Sequence, residues 1–145
     1  MEIYLDNSST TRPYQSVCDK VADVMRNNYG NPSSLHRLGI AAEKEIKEAT
    51  SGIADALGVR TDEIFYTSGG TESNNLDIRG VCAASRHKKI ISTPIEHPAT
   101  LNTLYSLEEQ GYTVEFAPVD SDGRVILSEF EELITPNTAL VTAML

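Results

Sequence analysis

From residue 65 to residue 75 the chain reads Phe-Tyr-Thr-Ser-Gly-Gly-Thr-Glu-Ser-Asn-Asn. A β-rich run at 64–67 meets two glycines and a threonine, and a helix-compatible segment follows. That is the local pattern of a strand, a tight turn and a helix N-terminus. The first turn of a helix carries unpaired N–H groups and the positive end of the macrodipole, so it attracts anions. Gly69 and Gly70 would let backbone approach a phosphate closely, and Thr71 could cap the helix while donating its hydroxyl. The turn holds no lysine and has neither G-x-x-x-x-G-K-[ST] nor G-x-G-x-x-G spacing. The nucleotide motifs are therefore excluded, and another phosphorylated ligand has to be considered. Ordinary strand–helix junctions use the same residue types, so on local physics alone both readings stand.

The elements around this turn set what can reach it. Apolar residues at Val17, Val21, Val24 and Met25 predict a helix over 14–28, and the cluster at 29–34 stops it. A long helix is expected over 39–57, with Gly58 as its C-cap. Ile3, Tyr4 and Leu5 read as a short β-like segment. Beyond the turn the chain alternates. Helices are expected at 72–84, 99–110 and 127–134, and strands at 90–93 and 113–118, with a final apolar extended run at 139–145. Repeated βα units of this length imply a mostly parallel sheet with helices on both faces, an α/β fold. Ligand loops in such sheets follow the carboxyl ends of the strands, and Glu96 and His97 follow the strand at 90–93. An imidazole there can both stack on a ring and titrate near neutral pH.

Composition narrows the class. The 145 residues are 40% hydrophobic, 23% charged and 6% aromatic, enough for one domain with a sizeable core. A net charge of −9 argues against nucleic acid or an anionic membrane as the main partner. No apolar run approaches the length of a membrane span, and no signal peptide is recognisable. Cys18 and Cys82 fit neither a zinc pattern nor C-x-x-C, so a reducing, cytoplasmic compartment is expected and both read as small buried hydrophobes. An apolar strand of a parallel sheet that stops with no loop after it leads us to expect an incomplete unit, truncated or completed by another chain.

Four segments line up in order and spacing: 4–11 (Tyr-Leu-Asp-Asn-Ser-Ser-Thr-Thr), 30–36 (Gly-Asn-Pro-Ser-Ser-Leu-His), 67–75, and Glu96-His97. Together they resemble the N-terminal part of the cysteine desulfurases, the NifS/IscS-like branch of the class V aminotransferase family. The resemblance implies a fold-type I architecture binding pyridoxal 5′-phosphate, with 1–145 as the N-terminal arm plus the first part of the large cofactor domain. It implies a homodimer that moves sulfur from L-cysteine to an enzyme cysteine persulfide, leaving L-alanine, with a sulfur-acceptor protein as a further partner. Residue by residue it places Gly70 and Thr71 on the cofactor phosphate and His97 against the pyridine ring, assisting proton transfer. Asn7–Thr11 and Asn31–His36 fall near the active-site entrance, with His36 structural or substrate-adjacent.

The resemblance also implies a Schiff-base lysine, an aspartate for the pyridinium nitrogen and a mobile cysteine, all beyond residue 145, so the chain is expected to be inactive alone. Ser85-Arg86-His87-Lys88 mimics the family's S-x-H-K lysine motif. It precedes the strand at 90–93 and lacks a following glycine-rich turn, so it reads as a solvated connection. Two rivals share these motifs or need none of them. One is another class V enzyme such as a selenocysteine lyase. The other is a non-catalytic phosphate-binding or partner chain.

Overall fold

The computed structural model describes residues 3–144. The chain divides between Phe65 and Tyr66 into two compact units.

The first unit is helical. Its N-terminal stretch is not a strand: the Tyr4 hydroxyl meets Thr10 Oγ1 at 2.8 Å and donates to the Asp6 carbonyl at 3.0 Å, folding the segment onto a turn. Helix α1 spans Gln15–Asn27 and α2 spans Arg37–Leu57. The stripe that predicts α1 is real, yet none of its residues is buried, and Val17, Val21 and Met25 all stand exposed. Cys18, expected to be buried, is exposed for the same reason. What ties α1 to α2 is polar: Glu45 accepts from Lys20 Nζ at 2.7 Å and, on its other oxygen, from Asn28 Nδ2 at 3.0 Å. That carboxylate holds the exposed Lys20 ammonium above its usual range.

Both ends of α2 follow from sequence chemistry. His36 Nδ1 accepts the Gly39 N–H at 3.3 Å as an N-cap, which gives His36 a structural role. At the other end Gly58 adopts φ 67°, and the Val59 N–H reaches back to the Ala54 carbonyl at 3.0 Å. This is a left-handed cap that favours glycine. Inside the first turn, Gly39 is buried where the 31–34 loop crosses the helix, and a Cβ there would run into the Asn31 and Ser34 carbonyls.

The second unit carries the sheet. Its elements are α3 (Gly70–Ala84), β1 (Lys89–Ser92), α4 (Pro98–Glu109), β2 (Thr113–Phe116), α5 (Leu127–Leu133) and β3 (Thr138–Val141). The strand order is β2-β1-β3 and every pairing is parallel. Ile90 stands in register with Val114 on one side and Leu140 on the other, so three apolar side chains share one face. Ile78 and Cys82 of α3 and Leu104 and Leu107 of α4 pack on that face and close the core. Burial pushes the Cys82 thiol upward, away from thiolate chemistry. Residues 64–67, expected as a strand, lie outside the sheet with Phe65 exposed. Strand propensity there has no ladder to join. The expected final run shortens to β3, and Leu145 lies outside the described residues.

One helix supplies two glycine tests of opposite sign. Gly39→Ala should destabilise the chain by about 1–3 kcal/mol, because backbone must move to admit the methyl. Gly52 is exposed in the middle of α2, and a methyl group added there would meet only open space. Gly52→Ala should therefore stabilise by about 0.5–1 kcal/mol through helix propensity. Denaturant midpoints at unchanged slope check both.

Candidate functional site

Parallel strands put their carboxyl ends on a single edge of the sheet, and two helices begin there. Asn74 Nδ2 donates to Thr100 Oγ1 at 3.3 Å, and Arg79 donates to Ser106 Oγ at 3.1 Å. The two contacts advance together along both helices, so α3 and α4 run parallel and point their N-termini the same way. The phosphate-type turn and His97 therefore lie at one end of this unit.

The two helix starts differ in how their N–H groups are used. At α4, Pro98 has no N–H, and His97 Nδ1 accepts the Ala99 N–H at 3.1 Å. The His97 carbonyl takes the N–H groups of Thr100 and Leu101. At α3 the N-cap is Gly69 with no side-chain cap, and the first intrahelical bond is Ser73 N–H to the Gly69 carbonyl at 3.1 Å. Thr71 is thus not the cap expected from sequence but a first-turn residue. Among the described residues no acceptor takes the N–H groups of Gly70, Thr71 or Glu72.

Side chains brace this open turn from below. Thr67 Oγ1 meets Ser73 Oγ at 2.7 Å and donates to the Gly69 carbonyl at 3.2 Å. Glu72 Oε2 accepts both the N–H and the hydroxyl of Ser68, each at 2.6 Å. These bonds hold the Glu72 carboxyl below its usual range, the hydroxyl bond contributing most. A Cβ placed on Gly69 or Gly70 would meet nothing within 4 Å, and neither residue has a left-handed φ. The folded backbone does not demand glycine at either position. What glycine leaves is clear approach to three free N–H groups, which suits a phosphate oxygen.

Between the helix starts lies a cleft of about 230 Å³ lined by Asn74, Glu96, His97, Thr100 and residues 142–144. His97 is exposed on its rim. With Nδ1 accepting from Ala99, the neutral ring carries its proton on Nε2. Glu96 behaves differently: only 7% exposed, its Oε1 accepts from Thr93 Oγ1 and from the Met144 N–H, each at 2.7 Å. In the sequence Glu96 stands out only as His97's neighbour. Nothing in its sequence neighbourhood signals the burial, since one of its two donors lies 48 residues further on. Lys88 sits before β1, with its ammonium 5.3 Å from the centre of the Tyr112 ring, at the amino end of the sheet. It is a connecting residue at the far edge from the cleft. No helix of the described residues is long and apolar enough to cross a membrane.

Because the Glu72 carboxyl is lowered on folding, its clamp on Ser68 is complete above the ordinary carboxyl value of 4.5 and is lost as pH falls through the lowered value. Protection of the Ser68 amide relative to its intrinsic exchange rate, followed by NMR, should fall only in that acid range. Glu72→Gln should flatten the acid limb.

The chain is similar to known proteins over nearly its whole length. A cysteine desulfurase from Nostoc sp. is 44% identical over 143 residues, 98% of this chain and 36% of that relative's length. A solved structure described as a NifS-like protein matches with a TM-score of 0.92 at 42% identity, covering 99% of this chain and 40% of the other. A second, described as SspA in complex with cysteine, matches with a TM-score of 0.84 at 33% identity, over 94% of this chain and 40% of the other. The chain spans about a third of the length of the curated relatives it matches. The fold is thus that of the NifS-like enzymes, a parallel α/β sheet of fold type I. With residues 3–145 matched, the chain belongs to the aminotransferase class-V family.

Proposed function

We propose that this chain is the N-terminal arm and first part of the large cofactor domain of a pyridoxal 5′-phosphate-dependent cysteine desulfurase. One observation carries the reading. Of the two parallel helix starts on the carboxyl edge, α3 offers three free N–H groups behind glycines, while α4 is closed by His97 itself. Of these two starts, α3 is the one that leaves donors for an anionic group, and an imidazole stands on the rim of the cleft that Asn74 of α3 also lines. In this reading the first turn at Gly70 and Thr71 holds the cofactor phosphate. His97, its ring fixed through Nδ1, stacks on the cofactor and moves a proton at Nε2. When bound, pyridoxal phosphate supplies an electron sink for bond cleavage at the substrate. The chain's own contribution is to bind, orient and relay a proton.

The substrate in this proposal is L-cysteine, converted to L-alanine with sulfur passed to an enzyme cysteine. The relatives' names and the cysteine-bound neighbour support that choice. The Schiff-base lysine and the persulfide cysteine would come from the remainder of the enzyme, since Lys88 stands at the wrong edge. A cytoplasmic homodimer delivering sulfur to an acceptor protein completes the proposal. A selenocysteine lyase would use the same N-terminal groups, and substrate profiling separates the two.

The test is to assemble the chain with its C-terminal complement, add pyridoxal phosphate, and follow cofactor absorbance and sulfide release from cysteine. Thr71→Ala should weaken cofactor binding about tenfold or more, and Thr71→Ser should restore it. His97→Asn can still cap α4 but should lower sulfide release by about a hundredfold or more. A well-folded assembly showing neither cofactor band nor sulfide would end the proposal.

A further inference from the structure

Glu96 is the residue of the β1–α4 connection that the cofactor reading leaves without work. Pro94, Ile95 and His97 around it are exposed, while Glu96 is turned inward beside fully buried Thr93. No cation pairs with its carboxylate among the described ion pairs. A buried carboxylate is costly unless donors converge on it, and here two donors from different segments converge on the same oxygen. Thr93 belongs to the exit of β1, and Met144 to the exit of β3. The two segments are otherwise linked at this edge by the Thr142 N–H to the Ile91 carbonyl at 2.9 Å. The Oε1 atom therefore fixes the height of the loop that ends in His97 against the 142–144 wall of the same cleft.

We infer that Glu96 is a positioning residue, which holds His97 and the segment after β3 in register through one shared acceptor oxygen. The inference concerns the protein without cofactor, and only its bearing on catalysis rests on the proposed function. Since a single oxygen takes both bonds, acceptor capacity rather than charge is what the site uses. Glutamine can reproduce it, alanine cannot, and aspartate is one methylene too short.

The experiment is amide hydrogen exchange and imidazole NMR on the unloaded protein. In Glu96→Ala the Met144 amide should exchange about tenfold faster or more, and the His97 ring signals should shift or broaden. The amides of Ile90 and Ile91 should keep their protection. Glu96→Gln should restore both wild-type signatures. If the alanine variant does not fold, Glu96→Asp makes the same test with the charge retained. Unchanged Met144 exchange and His97 signals in the alanine or aspartate variant overturn the inference. So does failure of glutamine to restore them, or a loss of protection that reaches Ile90 and Ile91 equally. Absence of a cofactor band in the wild-type assembly would strike the proposed function and leave this result standing.

Discussion

All strands of the sheet run one way, and the placement of every candidate group follows from that. A parallel pair cannot be joined by a hairpin, so each connection must travel back along a face of the sheet and begin again at the same edge. The consequence here is that α4 starts where β1 ends, and β3 ends beside it. α3 lies parallel to α4 and so starts at that edge too. The imidazole of His97 and the carboxylate of Glu96 are gathered by topology before any side chain is chosen, and the packing of α3 on α4 brings the unsatisfied helix N–H groups to the same edge. The core that enforces this is small, built on the Ile90–Val114–Leu140 row under α3 and α4.

Much of that topology was readable from residue order, and the exceptions have physical causes. Helices α2 and α4 were legible because a glycine stands just past each, Gly58 after one and Gly111 after the other. Strand β1 was legible as a short apolar run between polar flanks. The run at 64–67 has the same composition as a strand, but strand identity is conferred by a partner, and the sheet of this chain does not include it. Cys18 failed for a related reason: the apolar stripe of α1 predicts a face, not what covers it.

At the candidate site the glycines and the histidine stand out in the sequence, and the groups that hold them do not. Gly70 and Thr71 announce a helix start, yet which of them caps it depends on where the first intrahelical bond forms, and Ser73 settles that at Gly69. The inward turn of Glu96 is a long-range fact, since one of its two donors lies 48 residues further on. No local window contains that information.

The open turn of α3 also poses an electrostatic question that magnitudes can decide. A helix N-terminus favours a nearby anion by about 0.3–1 kcal/mol at an exposed site. Two unit charges a few ångströms apart in water repel by about 1 kcal/mol, and Glu72 brings a carboxylate to this first turn. The two effects are of similar size, so charge alone gives the turn little preference for an anion. What remains is direction. Ser68 draws the Glu72 carboxylate back with two short bonds, which leaves the N–H groups of Gly70, Thr71 and Glu72 without a competing acceptor. Charge-assisted bonds to such N–H groups are worth about 1.5–3 kcal/mol each before entropy, more than either long-range effect. Recognition at this turn would therefore depend on oxygen geometry more than on net charge. A phosphate with several oxygens is better matched to it than a single carboxylate, and the Ser68–Glu72 clamp is what keeps those donors clear.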